Sequence, residues 1–417
     1  MKVIVMGAGI IGTASAWYLA KQGHTVTVID RQAGAGLETS FANGGQISVS
    51  QSEPWAAPGA PFMVMKWLMK DDAPLLFRPK LEWHQLSWGL RFMIECLPWR
   101  FRRNIREMVS LGLYSRQALQ ELRQETGIQY DQQTRGILQF YTSRQDFAAA
   151  QEASKLLRQY GIDREVKTVE EAIAIEPALN HFRGRLAGAT FAPSDESGDA
   201  HAFTRNLAAL CCAKGVTFKY GATIEAIDTD ARRVSGIRLR HATGQPETDC
   251  ADVYVCAMGS YSYLMLKPLG ITIPVYPAKG YSATFSTEGF DGAPRVSLTD
   301  EAMRMVISRL GDRLRIAGTA ELDGYSTNLS MIRAGALVKR ARELFPGAAD
   351  YDHPVYWTGL RPATPSNCPL IGRTQMSNLF LNTGHGTLGW TEGCGSGRAL
   401  ADLVSGKKPD VDYQFLK

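Results

Sequence analysis

Two glycine-spaced turns, one near each end of the chain, hold the residues best suited to chemistry. In "VIVMGAGIIGTASAWYLAKQGHTVTVID", Gly7, Gly9 and Gly12 follow a G-x-G-x-x-G spacing after an apolar run from Val3 to Met6, a helical pattern runs to about Gln22, and a second apolar run from Thr25 stops at Asp30. Strand, turn, helix and strand in this register form a dinucleotide-binding unit. Gly7 permits the tight turn, Gly9 lets a pyrophosphate approach the backbone at the helix start by Ile10, and Gly12 lets helix and strand pack closely, while Asp30 stands where a carboxylate accepts a ribose hydroxyl. An acid at position 30 disfavours a 2′-phosphate, although Arg31 follows it. Near the other end, six of the fourteen residues from Gly384 to Gly397 are glycine, and a helical pattern on Ala399, Leu400, Leu403 and Val404 follows. Such an entrance brings a ligand close to free backbone N–H groups at the positive end of a helix.

The rest of the chain must place these turns. "ETSFANGGQIS", Glu38 to Ser48, comes soon after Asp30, where an NAD domain would run into its next helix; Ser40, Asn43, Gly44, Gly45 and Gln46 offer hydroxyl, amide and backbone donors to a longer cofactor. Helices are expected over 102–126, 147–160 and 202–214, and strands in "RGILQFYTS", at 216–220 and at 222–227, the last including Ile224. "DVYVCAMGSYS" reads as a buried strand entering a small-residue turn at Ala257 and Gly259, which returns the chain to the nucleotide-binding sheet. "ITIPVYPAKGYSATFS", "MRMVISRL" and "RLRIAGTAEL" are β-rich, with a hairpin turn at Gly311-Asp312, and imply an antiparallel sheet in a second unit.

Composition narrows the classes. With 45% hydrophobic and 21% charged residues the chain is an ordinary globular one, and its seven cysteines form neither a C-x-x-C pair nor a repeated spacing, as in a reducing compartment. A net charge of +5 without a basic arm gives no reason to expect a nucleic-acid partner. No signal peptide or membrane-spanning run is expected. From 54 to 106 the texture changes: five of the eight tryptophans (55, 67, 83, 88, 99) fall here, and from 61 to 106 nine Lys/Arg face four Asp/Glu. Two readings stand open, an interfacial segment with rings at headgroup depth and cations toward anionic lipid, or aromatics packed under a lid.

Taken in order, the glycine turn with Asp30, "ETSFANGGQIS", "DVYVCAMGSYS", "PVYPAKGYS", "WTGLRPATP" and "GHGTLGWTEGCGSG" resemble the FAD-dependent amine dehydrogenases and oxidases, a family with D-amino-acid oxidase, glycine oxidase and sarcosine oxidase among its members. The likeness runs nearly end to end, and "ASAWYL", "PWAAPG" and "GHGTLGWT" are most similar to its bacterial D-amino acid dehydrogenase branch. It implies an α/β fold: a Rossmann-like FAD-binding domain from 1–50, 180–262 and 355–417, and an α+β substrate domain on a largely antiparallel sheet from 51–179 and 263–354. It implies non-covalent FAD, no metal, and hydride transfer from the α-carbon of a D-amino acid to flavin, giving a 2-oxo acid and ammonia. Another amine donor (D-proline or hydroxy-D-proline, glycine, sarcosine) and a non-catalytic flavin protein are the alternatives. A membrane quinone or other acceptor would take the electrons, at a cytoplasmic site with peripheral contact to the inner membrane.

By the same resemblance, the backbone of Gly384, Gly386, Thr387, Leu388 and Gly389 faces the flavin pyrimidine ring, Arg361 binds the substrate carboxylate, Tyr281 adds a hydrogen bond to substrate, and His385 neighbours the redox ring. Where relatives commonly continue Asp-Gly after "GLRPATP", this chain has Ser366 and Asn367.

Overall fold

The computed structural model describes residues 1–62, 75–80, 82–241 and 244–416; Trp67, with the middle of the Trp/Arg-rich stretch, lies outside the described residues. Among the described residues two large sheets organise the chain. The first has six strands in the order Leu370–Arg373, Leu379–Thr383, Val253–Cys256, Lys2–Met6, Thr25–Asp30 and Thr217–Tyr220, all parallel except the first-named edge strand. Its central strands read as unbroken apolar runs because both faces are covered. Helices Ile10–Lys21, Ala200–Ala213 and Gly389–Val404 cover one face, and a three-stranded sheet carrying Ile224, Ile237 and Leu239 covers the other. Asp199 starts its helix at Ala200 by accepting the N–H groups of His201 and Ala202 at 2.8 and 3.1 Å.

The second sheet has nine strands. Eight run in the order Val355–Ala363, Tyr276–Ser286, Arg313–Leu322, Met305–Leu310, Ser297–Asp300, Ile137–Tyr141, Gly188–Ala192 and Glu165–Lys167, mainly antiparallel. The Gly311-Asp312 hairpin is present, joining Met305–Leu310 to Arg313–Leu322. Two segments assigned from sequence to the cofactor unit, Gly188–Ala192 and Val355–Ala363, are strands of this sheet instead, since their backbone partners are Ile137–Tyr141 and Tyr276–Ser286. Helix Met331–Leu344, absent from the sequence reading, packs Ala334, Leu337, Ala341 and Leu344 on one face of the sheet. The opposite face looks toward the nucleotide-binding sheet.

Candidate active site

Between the sheets lies a cavity of about 2120 Å³, well above the roughly 300–1,000 Å³ of an ordinary ligand pocket. Both glycine turns open onto it. Gly7 has φ +107°, and a Cβ there would lie 2.6 Å from the Ala257 carbonyl oxygen; a Cβ on Gly12 would lie 1.9 Å from the Gly7 carbonyl oxygen. Gly12 therefore serves packing, while Gly7 and Gly9 form the cavity wall. Neither helix beginning at these turns has a side-chain cap from its own N-cap residue, Gly9 or Leu388; Ser40 takes the Ile10 N–H of the first, and the other first-turn donors of both helices remain for a ligand.

The Asp30 carboxylate accepts the N–H of Ala8 at 2.6 Å and that of Gln32 at 2.8 Å; burial raises its pKa, and these two bonds oppose the rise. It thus shapes the glycine turn as well as facing the cavity. Arg31 pairs with Glu38 at 2.6 Å and lies 4.1 Å from the centre of the Tyr261 ring. Ser40 accepts the Ile10 N–H at 3.1 Å, and the Asn43 side chain accepts the Gly45 N–H at 3.0 Å. A Cβ on Gly44 would lie 2.1 Å from Val306 Cγ2, so this loop runs directly against the second sheet. Ile224, Ala257 and Gly259 complete the wall around Asp30.

Three sequence assignments change. The Gln46 amide donates to Ser297, Leu298 and Thr299 of the second sheet at 3.0–3.3 Å, so its N–H groups are committed there although Gln46 also lines the cavity. Gly384 lies behind the wall: a Cβ there would meet Thr364 Cγ2 at 2.7 Å, and it is Gly386, Thr387, Leu388 and Gly389 that face the cavity. Tyr281 lies in the expected strand, but pairs with Thr358 and so takes the face opposite the Ala278–Arg361 pair. Its hydroxyl donates to Glu321 at 2.7 Å within the core under helix Met331–Leu344, so its proton is committed there, although Tyr281 also borders the cavity.

Arg361 is held differently. The guanidinium fills the space of a side chain at position 280, where a Cβ would lie 2.2 Å from Nη1, and it donates to the Thr319 carbonyl oxygen at 2.9 Å. Among the described residues no carboxylate comes within ion-pair distance of it, and burial alone pushes its pKa down to about 10. A cation enclosed in a cavity without an anion of its own is suited to receive one. Thr319 supplies its carbonyl from φ +58°, a strained conformation for a β-branched residue, where the pairing with Tyr276–Ser286 shifts register. Neither Gly280 nor Thr319 was singled out from sequence; "KGYS" drew attention to the tyrosine rather than the glycine.

The second glycine turn is tied to the Arg361 strand. Gly386 N–H donates to the Pro362 carbonyl at 2.9 Å, and His385 bridges to Ala363. His385 is 2% exposed, its two ring nitrogens have no protein partner among the described residues, and burial lowers its pKa to about 3. It is a neutral imidazole on the cavity wall with hydrogen-bonding capacity to spare. At the following bend, Asn367 takes φ +61°, a conformation glycine adopts more readily, and accepts the Trp55 N–H at 2.9 Å.

These features fit FAD: a glycine cradle and helix N-terminus for a diphosphate, a second N-terminus with an unpartnered imidazole for a ring that gains negative charge, and a cavity large enough for both. The family model for FAD dependent oxidoreductases matches residues 2–403, and the chain belongs to that family. It is 54% identical over 417 residues to the D-amino acid dehydrogenase of Dechloromonas aromatica (strain RCB), covering 100% of each, and 52% identical to that of Paramagnetospirillum magneticum, covering 100% of this chain and 98% of the relative. Among solved structures it is similar to glycine oxidase from Geobacillus kaustophilus (TM-score 0.72, 23% identity, 98% and 96% of the chains covered) and to L-proline dehydrogenase from P. horikoshii (TM-score 0.75, 17% identity, 99% and 95% covered), likenesses of fold.

Proposed function

We propose that the protein oxidatively deaminates D-amino acids to 2-oxo acids and ammonia, with Arg361 as the group that captures the substrate carboxylate. The observation that carries this is the buried, acid-free guanidinium beside the glycine-lined entrance; the names of the relatives at 54% and 52% identity favour the D series. Gly7, Gly9 and the Ile10 helix start would hold the diphosphate of FAD, Asp30 its ribose, and Gly386 to Gly389 its redox ring. Bound FAD supplies the acceptor for the hydride leaving the α-carbon. Arg361 fixes the carboxylate through a planar fork, its orientation set by Thr319 and by the space at Gly280. His385, held neutral, can donate from one ring nitrogen without adding charge. The resulting imine is hydrolysed by water. No cysteine lies on the described cavity wall, which supports non-covalent attachment.

The acceptor is a membrane quinone or another lipophilic oxidant, reached by peripheral contact on the cytoplasmic side of the inner membrane. Helix Trp83–Glu95 supports this: Trp83, Leu86, Leu90, Met93 and Ile94 are exposed on it, and the arginines at 91, 100, 102 and 103 lie close by in the chain. Among the described residues no helix is long and apolar enough to cross a membrane. The test is anaerobic absorbance of the yellow protein with D-alanine, L-alanine, D-proline and sarcosine added separately. Bleaching by D-alanine and not L-alanine is expected; bleaching by sarcosine or D-proline alone would transfer the assignment to those amines.

A further inference from the structure

The cavity reaches the surface at chemically opposite places. Beside Arg361 its wall is helix Trp83–Glu95, anchored by the Trp88 indole N–H donating to the Ala363 carbonyl at 2.9 Å, with Trp83, Leu86, Leu90 and Met93 both on the wall and exposed. Across the second sheet the wall is made by Glu53, Gln139, Tyr141, Arg164, Glu301 and Arg304. The two ends are distinct: the Arg361 strand and the strand leading into Glu301 are four strand spacings apart in the sheet order, roughly 19 Å at about 4.8 Å each.

The charged end is a built surface. Arg164 is 5% exposed, pairs with Glu53 at 2.7 Å, and donates to the Tyr141 hydroxyl at 2.9 Å and to Thr190 at 3.2 Å. Glu301 accepts from Arg304. Charges of both signs are thus fixed in place along the wall. Helix Arg144–Gln159 turns its smallest residues to the same opening, Ala149, Ala150 and Ala153, with Ala149 and Asp146 exposed at the rim. Small side chains leave the passage clear. A zwitterion entering here exchanges hydration for fixed groups of opposite sign, whereas along the described wall of the apolar mouth it would be desolvated with no charged partner before Arg361. For a lipophilic molecule the preference reverses.

We infer that the charged mouth is the portal through which the zwitterionic amino acid reaches Arg361 and the 2-oxo acid leaves, while the apolar mouth serves the electron acceptor. This rests on the amino acid reading above. The test uses FAD-loaded Ala153→Trp, with Ala149→Trp at the exposed rim repeating it if the first does not fold, and Gly89→Trp on the apolar helix, where a Cβ meets nothing within 4 Å. Three rates are compared with wild type: anaerobic bleaching by D-alanine at low concentration, association of benzoate as a dead-end carboxylate followed by the flavin spectrum, and reoxidation of the reduced protein by a short-chain quinone. In Ala153→Trp the first two should fall about tenfold or more and the third stay unchanged; Gly89→Trp should do the converse. Folded Ala153→Trp and Ala149→Trp variants with wild-type benzoate and D-alanine rates, or slowing of both by Gly89→Trp, would overturn the portal. Wild-type protein that D-alanine does not bleach would defeat the substrate reading, and the benzoate rates would still decide the portal.

Discussion

The two glycine-rich helix entrances meet in one cavity but use glycine for different reasons. In the N-terminal turn the glycines answer to neighbours within the same unit or the adjoining strand end: Gly12 clears the Gly7 carbonyl, and Gly7 clears that of Ala257. In the C-terminal run only Gly386 and Gly389 face the cavity. The remaining glycines of its helix are sites of close approach between helices. A Cβ on Gly395 would lie 2.6 Å from the Ser115 Cα, and one on Gly397 would lie 2.8 Å from the Ala14 backbone; Gly393 faces Ile10 at 3.0 Å. Glycine density therefore overstates the ligand surface of the second entrance. Half of it is what lets Gly389–Val404 sit between two other helices and aim its N-terminus at the cavity.

The sharpest way to break this contrast is Gly395→Val. Its branches would run into the backbone of helix Pro98–Thr126, and the expected outcome is loss of the folded protein or a destabilisation beyond the usual ~1–3 kcal/mol of overpacking, seen as a lowered thermal midpoint with and without FAD. A variant of wild-type stability that simply fails to bind FAD would make Gly395 a ligand glycine after all. Arg361→Ala should next remove about 2–5 kcal/mol of substrate capture, a loss of roughly thirty- to several-thousandfold in kcat/KM for D-alanine with FAD content retained.

His385 gives a pH test of the same entrance. Its pKa is about 3 in the fold against 6.5 for an ordinary histidine, so the neutral ring is favoured by folding. That contribution is complete above pH 6.5 and is lost as pH falls toward 3, because the unfolded chain takes up the proton first. Chemical denaturation of the apoprotein from pH 7 to 4 should show a steeper loss for wild type than for His385→Asn; parallel curves would mean the ring is already solvated or partnered. The smallest effect is expected from Tyr281→Phe, about 1 kcal/mol of stability from the lost bond to Glu321 with KM for D-alanine unchanged. A raised KM would restore the hydroxyl to the substrate side.

How much was legible depended on the range of the interaction that decided each feature. The first βαβ unit, the hairpin at Gly311-Asp312 and the helix over Pro98–Thr126 follow from neighbours close in sequence, and the structure places them within a few residues of the reading. Arg361 was found through the motif around it, but its lack of an acid partner, its seat over Gly280 and the turned Thr319 carbonyl involve three strands. Tyr281 was placed in its strand, but sequence gives the alternation without saying that its hydroxyl donates to Glu321. The same limit moved Val355–Ala363 and Gly188–Ala192 into the second sheet: hydrogen-bond partners from remote segments, not local pattern, assign a strand to a sheet.

The sequence by itself determined the family, the nucleotide-binding turn with Asp30, and the presence of a helix entrance at each end, since these rest on spacings of a few residues and on backbone freedom local to each glycine. Tertiary structure alone decided which of those glycines face a ligand and which face another helix, which side of a strand carries the substrate groups, and that one end of the cavity is apolar and the other charged. Each of these depends on what packs opposite a residue, and that neighbour comes from a distant part of the chain.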